Sequence, residues 1–369
     1  MVHRTLATPH LRAIALPLCA AVLTACSSVD TATPGAPAAQ RLPAKRGEMI
    51  VQGYLPDWEL KQFAPEQLAL HQLTHVSHAF VAPTRDGHLK VPDNFQAERV
   101  VRAARRAGAK PLLCIGGADT DIFRQMAVLP LYRARFVRET ALFAHRNGYG
   151  GIEVDWEFPK TDVDRAGLVA LMAEFRQVCG PKCQLNVVVG GSKYVGDAVD
   201  VEHLRHIVDY FVIMSYDYHG KWSDFSGYNA PLRPYAKSNG SVAEGVEYWL
   251  DRGVPRDRMI MGLPFYGRSF DAAGAGLPFR ESRSYLYRDI PALRALGVQR
   301  YWDGAAEVPY LRRVDHGWML SYDDARSLDL KVRYARERGL AGVMIWQITA
   351  DVINGRHALL PAVTLAAQR

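Results

Sequence analysis

Short apolar runs recur along this chain, and each is followed by a longer stretch in which apolar residues return at helical spacing. There are eight such runs: Met49–Leu55, His75–Val81, Lys110–Ile115, Gly151–Glu157, Gln184–Val189, Tyr210–Tyr216, Arg258–Phe265 and Gly342–Ile348. Runs that are apolar throughout, rather than alternating, predict strands buried on both faces. Helical stretches between them predict parallel crossovers. One helix is predicted over Leu131–Asn147, where Phe136, Thr140, Phe143 and Ala144 share a face and Gly148 suits a C-terminal cap.

Eight strand–helix units predict an α/β chain folded as a (β/α)8 TIM barrel, with its chemistry at the C-terminal ends of the strands. The pattern breaks once. Between Arg268 and Ser321 no barrel helix appears until Leu328–Glu337, yet Tyr285-Leu286-Tyr287 and Trp318-Met319-Leu320 look like short strands. A structureless connection of that length does not suit a compact domain. A small α+β insertion is therefore predicted after the seventh strand, at about 268–322.

The N-terminus reads differently. Arg4 and Arg12 precede an apolar stretch from Ala13 to Ala25, the length of a signal-peptide core and too short to span a bilayer. It ends in Leu23-Thr24-Ala25-Cys26-Ser27-Ser28, which resembles a bacterial lipobox with Cys26 as the lipidated residue. The expectation is a signal peptide over 1–25, a Ser/Thr/Ala/Pro-rich tether over 26–46, and a barrel domain over 47–369. Lipidation implies an exported protein anchored to the cell envelope, at the bacterial outer membrane by sorting rules, with the lipid as its only membrane contact. Simple secretion with cleavage nearby is the other reading.

The chain has 369 residues, 49% hydrophobic and 22% charged, as in an ordinary globular protein. Its formal charge of +7 is spread without a basic run or a basic, aromatic-interleaved helix face, so no nucleic-acid partner is expected. No spacing suggests a metal site; His75 and His78 form an isolated, structural pair, and no cofactor is expected. Cys179 and Cys183 flank Gly180-Pro181-Lys182, and a small disulfide between them stays open; Cys114 reads as a packing residue.

The informative stretch is Gly148-Tyr149-Gly150-Gly151-Ile152-Glu153-Val154-Asp155-Trp156-Glu157-Phe158-Pro159. Strand alternation puts Ile152, Val154 and Trp156 toward the helices, and Glu153, Asp155 and Glu157 toward the barrel interior. Burial and mutual repulsion disfavour three charges in such a row, so it should share protons. A core built for stability would use Val or Ile here. A row of acids instead points to a general acid at the strand end, its pKa raised by its surroundings.

This row resembles the D-G-x-D-x-D-x-E signature of family 18 glycoside hydrolases, with Gly150 and Glu153 standing where that signature has its first and second Asp. Other segments resemble the family in the same order: Tyr54 and Trp58; Cys114-Ile115-Gly116-Gly117, with Cys for Ser; Met214-Ser215-Tyr216-Asp217-Tyr218-His219-Gly220; Pro264-Phe265-Tyr266-Gly267-Arg268; Tyr322-Asp323-Asp324; and Gly342-Val343-Met344-Ile345-Trp346. The resemblance implies a chitinase that cleaves β-1,4 bonds between N-acetylglucosamine units. It implies substrate assistance, in which the sugar's own acetamido oxygen attacks the anomeric carbon. Glu157 would be the proton donor. Asp155, with Glu153 as its alternate proton-sharing partner, would face the acetamido N–H, and Tyr216 would hold the acetamido oxygen. Tyr54, Trp58, Phe80, Met214, Asp217, Trp222, Tyr266, Arg268 and Trp346 would bind the sugar chain, with Trp346 beneath the distorted sugar. Ala118 stands where many relatives carry a stacking Trp, which implies a preference for short oligomers. The expected partner is chitin or its oligosaccharides, and the expected state a monomer. Action on N-glycans or peptidoglycan, or a non-catalytic lectin on the same barrel, are the alternatives.

Overall fold

In a computed structural model, residues 49–117, 119–293, 297–313 and 317–369 are described. The signal peptide and tether, with Cys26, and Ala118 lie outside them. Eight parallel strands close a barrel: β1 (Ile50–Pro56), β2 (His75–Pro83), β3 (Lys110–Gly116), β4 (Gly151–Asp155), β5 (Gln184–Gly190), β6 (Tyr210–Met214), β7 (Met259–Pro264) and β8 (Gly342–Trp346). Each pairs with the next, and β8 closes on β1 with Ile50 opposite Gly342. The strands are almost wholly buried, as continuous apolar runs require.

The eight strands fall where the apolar runs place them, to within a few residues at the ends. The helix expected over 131–147 spans Pro130–Asn147, with Phe136, Thr140 and Ala144 buried and Gly148 in the left-handed conformation at φ 79° that ends it. After β4, Thr161 caps the helix Asp162–Cys179 through a capping box with Asp164. Trp156 turns toward the helical layer, as the alternation predicts. Its ring stacks on Phe123 at 5.8 Å and its indole N–H donates to Thr120 Oγ1 at 3.1 Å.

The insertion after β7 is a five-stranded antiparallel sheet in the order 282–286, 266–270, 318–321, 308–313, 299–303. It begins at Tyr266, directly after β7. Phe270, Val308 and Met319 form its own small core with Tyr228 from the β6 loop. The closing segment is tied to the helix Ala325–Glu337 by a buried ion pair, Asp323 to Lys331, at 2.5 Å. Among the described residues, no helix is long and apolar enough to cross a membrane.

Candidate active site

On β4 the inward positions are Glu153 and Asp155; the strand ends there, and Glu157 follows at the mouth of the barrel. Glu153 is fully buried. Its Oε1 accepts from Ser77 Oγ at 3.0 Å, its Oε2 from Asn186 Nδ2 at 2.9 Å, and Gln52 Nε2 reaches both oxygens at 3.0 and 2.8 Å. Asp155, one step nearer the mouth, is 4% exposed, and its Oδ1 has no hydrogen-bond partner. Gly116 permits this crowding, because a Cβ there would lie 2.6 Å from the Asp155 carbonyl oxygen. Burial, then the neighbouring Glu157 and Glu153 charges, push the Asp155 carboxyl well above the usual range. Glu157 is open to the cleft on one side. Loss of surrounding water, then the charge of Asp217, raise its pKa as well.

From the end of β6 come Tyr216 and Asp217. Tyr216 is buried, and desolvation followed by the Asp155 and Glu157 charges raises its phenol well above 10, which keeps it a proton donor. Asp217 takes a left-handed backbone at φ 62°. It accepts from Tyr266 Oη at 2.5 Å and from Arg268 Nε and Nη2 at 2.8 and 2.7 Å. The guanidinium of Arg268 lies over the Trp222 ring at 4.7 Å. Arg268, read from the sequence as a sugar-binding residue, is thus engaged by a rim carboxylate, Asp217.

The floor is aromatic. Trp346, at the end of β8, lies 5.3 Å from the ring of Tyr54, 5.8 Å from Phe80 and 6.5 Å from Trp58. Trp58 is 54% exposed, so its ring face is available to a ligand. Together these side chains line a cleft of about 630 Å³, with Asp155, Glu157, Met214, Tyr216, Asp217, Tyr266 and Arg268. Apolar ring faces beside a few converging polar groups are what a sugar chain needs.

Most of the expected site residues thus meet in one cleft. Glu153 does not line it but lies beneath Asp155, and Trp222 joins through Arg268. Tyr218 is a packing residue, its hydroxyl donating to the Gly191 carbonyl at 3.2 Å. The sequence reading missed Val188, Ser284 and Leu286 on the cleft wall, and the three donors around Glu153. Those donors were visible as polar positions inside the apolar runs of β1, β2 and β5. Cys114 is buried, with its Sγ 3.9 Å from Tyr54 Oη. The disulfide left open between Cys179 and Cys183 is absent: both are free thiols, and a hydrogen bond between them raises the first and lowers the second. His75 bonds Thr74 and Gln184, and His78 bonds Tyr149 and Asp57, so both are structural. Among the described residues, no group of three His, Cys, Asp or Glu side chains could hold a metal.

A closed barrel that buries a row of acids at the end of one strand, under a cleft with an aromatic floor, is the architecture of a barrel glycoside hydrolase. The profile of Glycosyl hydrolases family 18 matches residues 50–351, and the chain belongs to that family. It is 29% identical over 334 residues to a probable endochitinase of Caenorhabditis elegans, covering 79% of this chain and 54% of that one. It is 33% identical over 279 residues to probable chitinase 2 of Drosophila melanogaster, covering 68% of this chain and 58% of that one. The chain therefore spans little more than half the length of these relatives. Among solved structures, Ostrinia furnacalis Group IV chitinase in complex with allosamidin superimposes with a TM-score of 0.81 at 25% identity, over 86% of this chain and 98% of that one.

Proposed function

We propose that this chain hydrolyses β-1,4 bonds between N-acetylglucosamine units of chitin or its oligosaccharides, with retention and by substrate assistance. The observation that carries the reading is the buried, unpartnered Oδ1 of Asp155 in a cleft that Glu157, Tyr216 and the aromatic floor also line. Of the other two carboxyls in the cleft, Asp155 is pushed toward its neutral form and Asp217 is engaged by Tyr266 and Arg268; neither suits an enzyme nucleophile, and that part falls to the sugar's acetamido oxygen.

Glu157 gives its proton to the glycosidic oxygen as the bond from that oxygen to C1 breaks. The acetamido oxygen, held by the Tyr216 hydroxyl, bonds to C1 from the opposite face and forms an oxazolinium. Asp155 turns its free oxygen to the acetamido N–H and stabilises the positive charge there. Orientation and electrostatic stabilisation supply most of the barrier reduction. Glu157, now a carboxylate, takes a proton from the incoming water, whose oxygen bonds to C1 and reopens the ring. Trp346 supports the reacting sugar, and the Asp217–Arg268–Trp222 group receives the leaving chain.

Incubation of the protein with chitin oligosaccharides, N-glycans and peptidoglycan, with products read by mass, separates this reading from its alternatives. Shortened chitin oligosaccharides are expected. Glu157→Gln should lower turnover by about 10²–10⁴-fold with oligosaccharide binding retained. Parental turnover in that variant would exclude Glu157 as the acid, and products only from another glycan would exclude the substrate.

A further inference from the structure

The formal charge of +7 shows no basic run in the sequence, yet the fold gathers an excess of the same size at one end of the barrel. Six helix-to-strand connections lead into β3–β8, and they meet at the N-terminal ends of the strands, opposite the cleft. From the last helical turn to the first strand residue they are 103–110, 144–151, 176–184, 201–210, 248–259 and 334–342. Together they hold twelve Lys and Arg against five Asp and Glu. The cleft end, by contrast, carries Asp155, Glu157 and Asp217.

Helix C-termini favour cations, and part of the excess serves them. Arg105 donates to the Gly148 carbonyl at 2.6 Å, Arg176 to that of Cys183 at 2.8 Å and Arg258 to that of Arg205 at 2.6 Å. A bond to a neutral carbonyl leaves the cation's charge in place. Arg106, Arg146, Lys182 and Arg256 have no such duty. All four are exposed, and among the described residues none makes a side-chain hydrogen bond or ion pair. Of the five acids, Asp209 is already held by Arg176 at 2.7 Å and Glu202 by Arg205 at 2.9 Å. Two large apolar side chains also stand exposed at helix ends here, Val178 at 53% and Leu365 at 52%. The end of the last helix belongs to this side because Arg336 donates to the carbonyls of Ala366 and Ala367, each at 3.2 Å.

The chain enters the barrel on the same side. Ile50 starts β1 with its N–H on the Ala341 carbonyl at 2.9 Å, beside the connection into β8. In the sequence Lys45 and Arg46 come shortly before it, and Cys26, the expected lipid site, 24 positions before it. We propose that this end of the barrel is a docking surface for a membrane carrying anionic phospholipid headgroups, with Arg106, Arg146, Lys182 and Arg256 as its contacts and the cleft turned away from the lipid. Cations on separate connections, spread round the ring of strands, suit a layer of headgroups that can meet them together, and exposed Val178 and Leu365 suit its interfacial zone. An acyl chain on Cys26 is then not the only membrane contact. The inference goes beyond the hydrolysis proposed above and does not rest on it.

The test is co-sedimentation of the full chain with vesicles, using Cys26→Ser throughout so that no acyl chain contributes. The vesicles are phosphatidylcholine alone or with about 30% phosphatidylglycerol, at about 0.02 M and about 0.5 M salt. Partitioning should need phosphatidylglycerol and fall at least about tenfold at the higher salt, where screening shortens the reach of each charge. Replacing Arg106, Arg146, Lys182 and Arg256 together by Gln should weaken it at least about tenfold. Replacing four cations on the cleft-end connections, Arg85, Lys90, Lys160 and Lys221, by Gln should leave it within about twofold. If the first fourfold variant does not fold, Arg146→Gln and Lys182→Gln made singly should each weaken partitioning by about twofold or more. Equal partitioning on the two vesicles, an unchanged Arg106/Arg146/Lys182/Arg256 variant, or an equal loss in the cleft-end variant would overturn the proposal. Binding to soluble polyglutamate but not to vesicles would give this end to an acidic polypeptide and overturn it as well.

Discussion

Replacing Lys331 with Met tests how the insertion is held to the barrel. Lys331 and Asp323 are both fully buried, with Nζ at 2.5 and 2.6 Å from the two carboxylate oxygens, and Ser327 Oγ donates to one of them at 2.7 Å. Met fills much of the same volume but donates nothing, so Asp323 keeps only the Ser327 bond. Breaking a buried pair in this way costs about 3–5 kcal/mol. With an unfolding entropy of about 2.1 cal/mol/K per residue over roughly 320 residues, that is a fall in Tm of about 4–7 °C at pH 7. The sign of the pH dependence follows from Asp323. Burial raises its pKa even with Lys331 present, and loss of the cation removes the main influence lowering it. An acid whose folded pKa lies above its unfolded value of about 3.9 costs stability only above that unfolded value. The deficit against the parent should therefore shrink as pH falls from 7 toward 4. Adding Asp323→Asn should recover much of the loss at pH 7. Calorimetric melts at pH 7 and 5 read both effects. A variant within 1 °C of the parent at pH 7, or a deficit that widens on acidification, would refute the reasoning.

Asp217→Asn removes a charge that raises the Glu157 pKa and loosens the hold on Tyr266 and Arg268. Glu157 must be protonated to act, so the basic limb of kcat/KM should move to lower pH, and KM for oligosaccharides should rise; a limb displaced upward would contradict the assignment. At the other end of the chain, Cys26 in its lipobox context is proposed as a lipidated anchor to the envelope. A fatty-acid probe supplied to cells making the protein should label it, and Cys26→Ser should lose the label; absence of label in the parent would return the reading to simple secretion.

The barrel was legible because its strands are buried on both faces, which forces the apolar runs that mark them. Their ends were less so. The run from Gly151 to Glu157 reads as one strand, but pairing stops at Asp155, so Glu157 sits on the turn at the mouth rather than in the row. The insertion was visible only as a gap in the pattern. Its strand Ser282–Leu286 mixes polar and apolar positions, and Ser284 and Leu286 reach the cleft only because that sheet packs back over the barrel. Nothing in local spacing encodes such a contact. The cysteine pair shows the same limit: three intervening residues bring two thiols together without deciding whether they bond.

The acids were the strongest signal in the sequence, but their partners carry as much of the chemistry. A carboxylate inside a barrel has to be matched by donors on strands that lie next to it in space and far from it in sequence. Here those are Gln52, 101 positions from Glu153, and Ser77, 76 positions away, with Asn186 on the neighbouring strand opposite Glu153. Each interrupts an apolar run at an inward position, where an aliphatic side chain would pack at no polar cost. Placed in the barrel order, the three interruptions converge on one carboxylate. The Glu where the family signature has Asp is therefore not an isolated departure but one member of a four-residue set, and its effect on the reaction depends on that set as a whole.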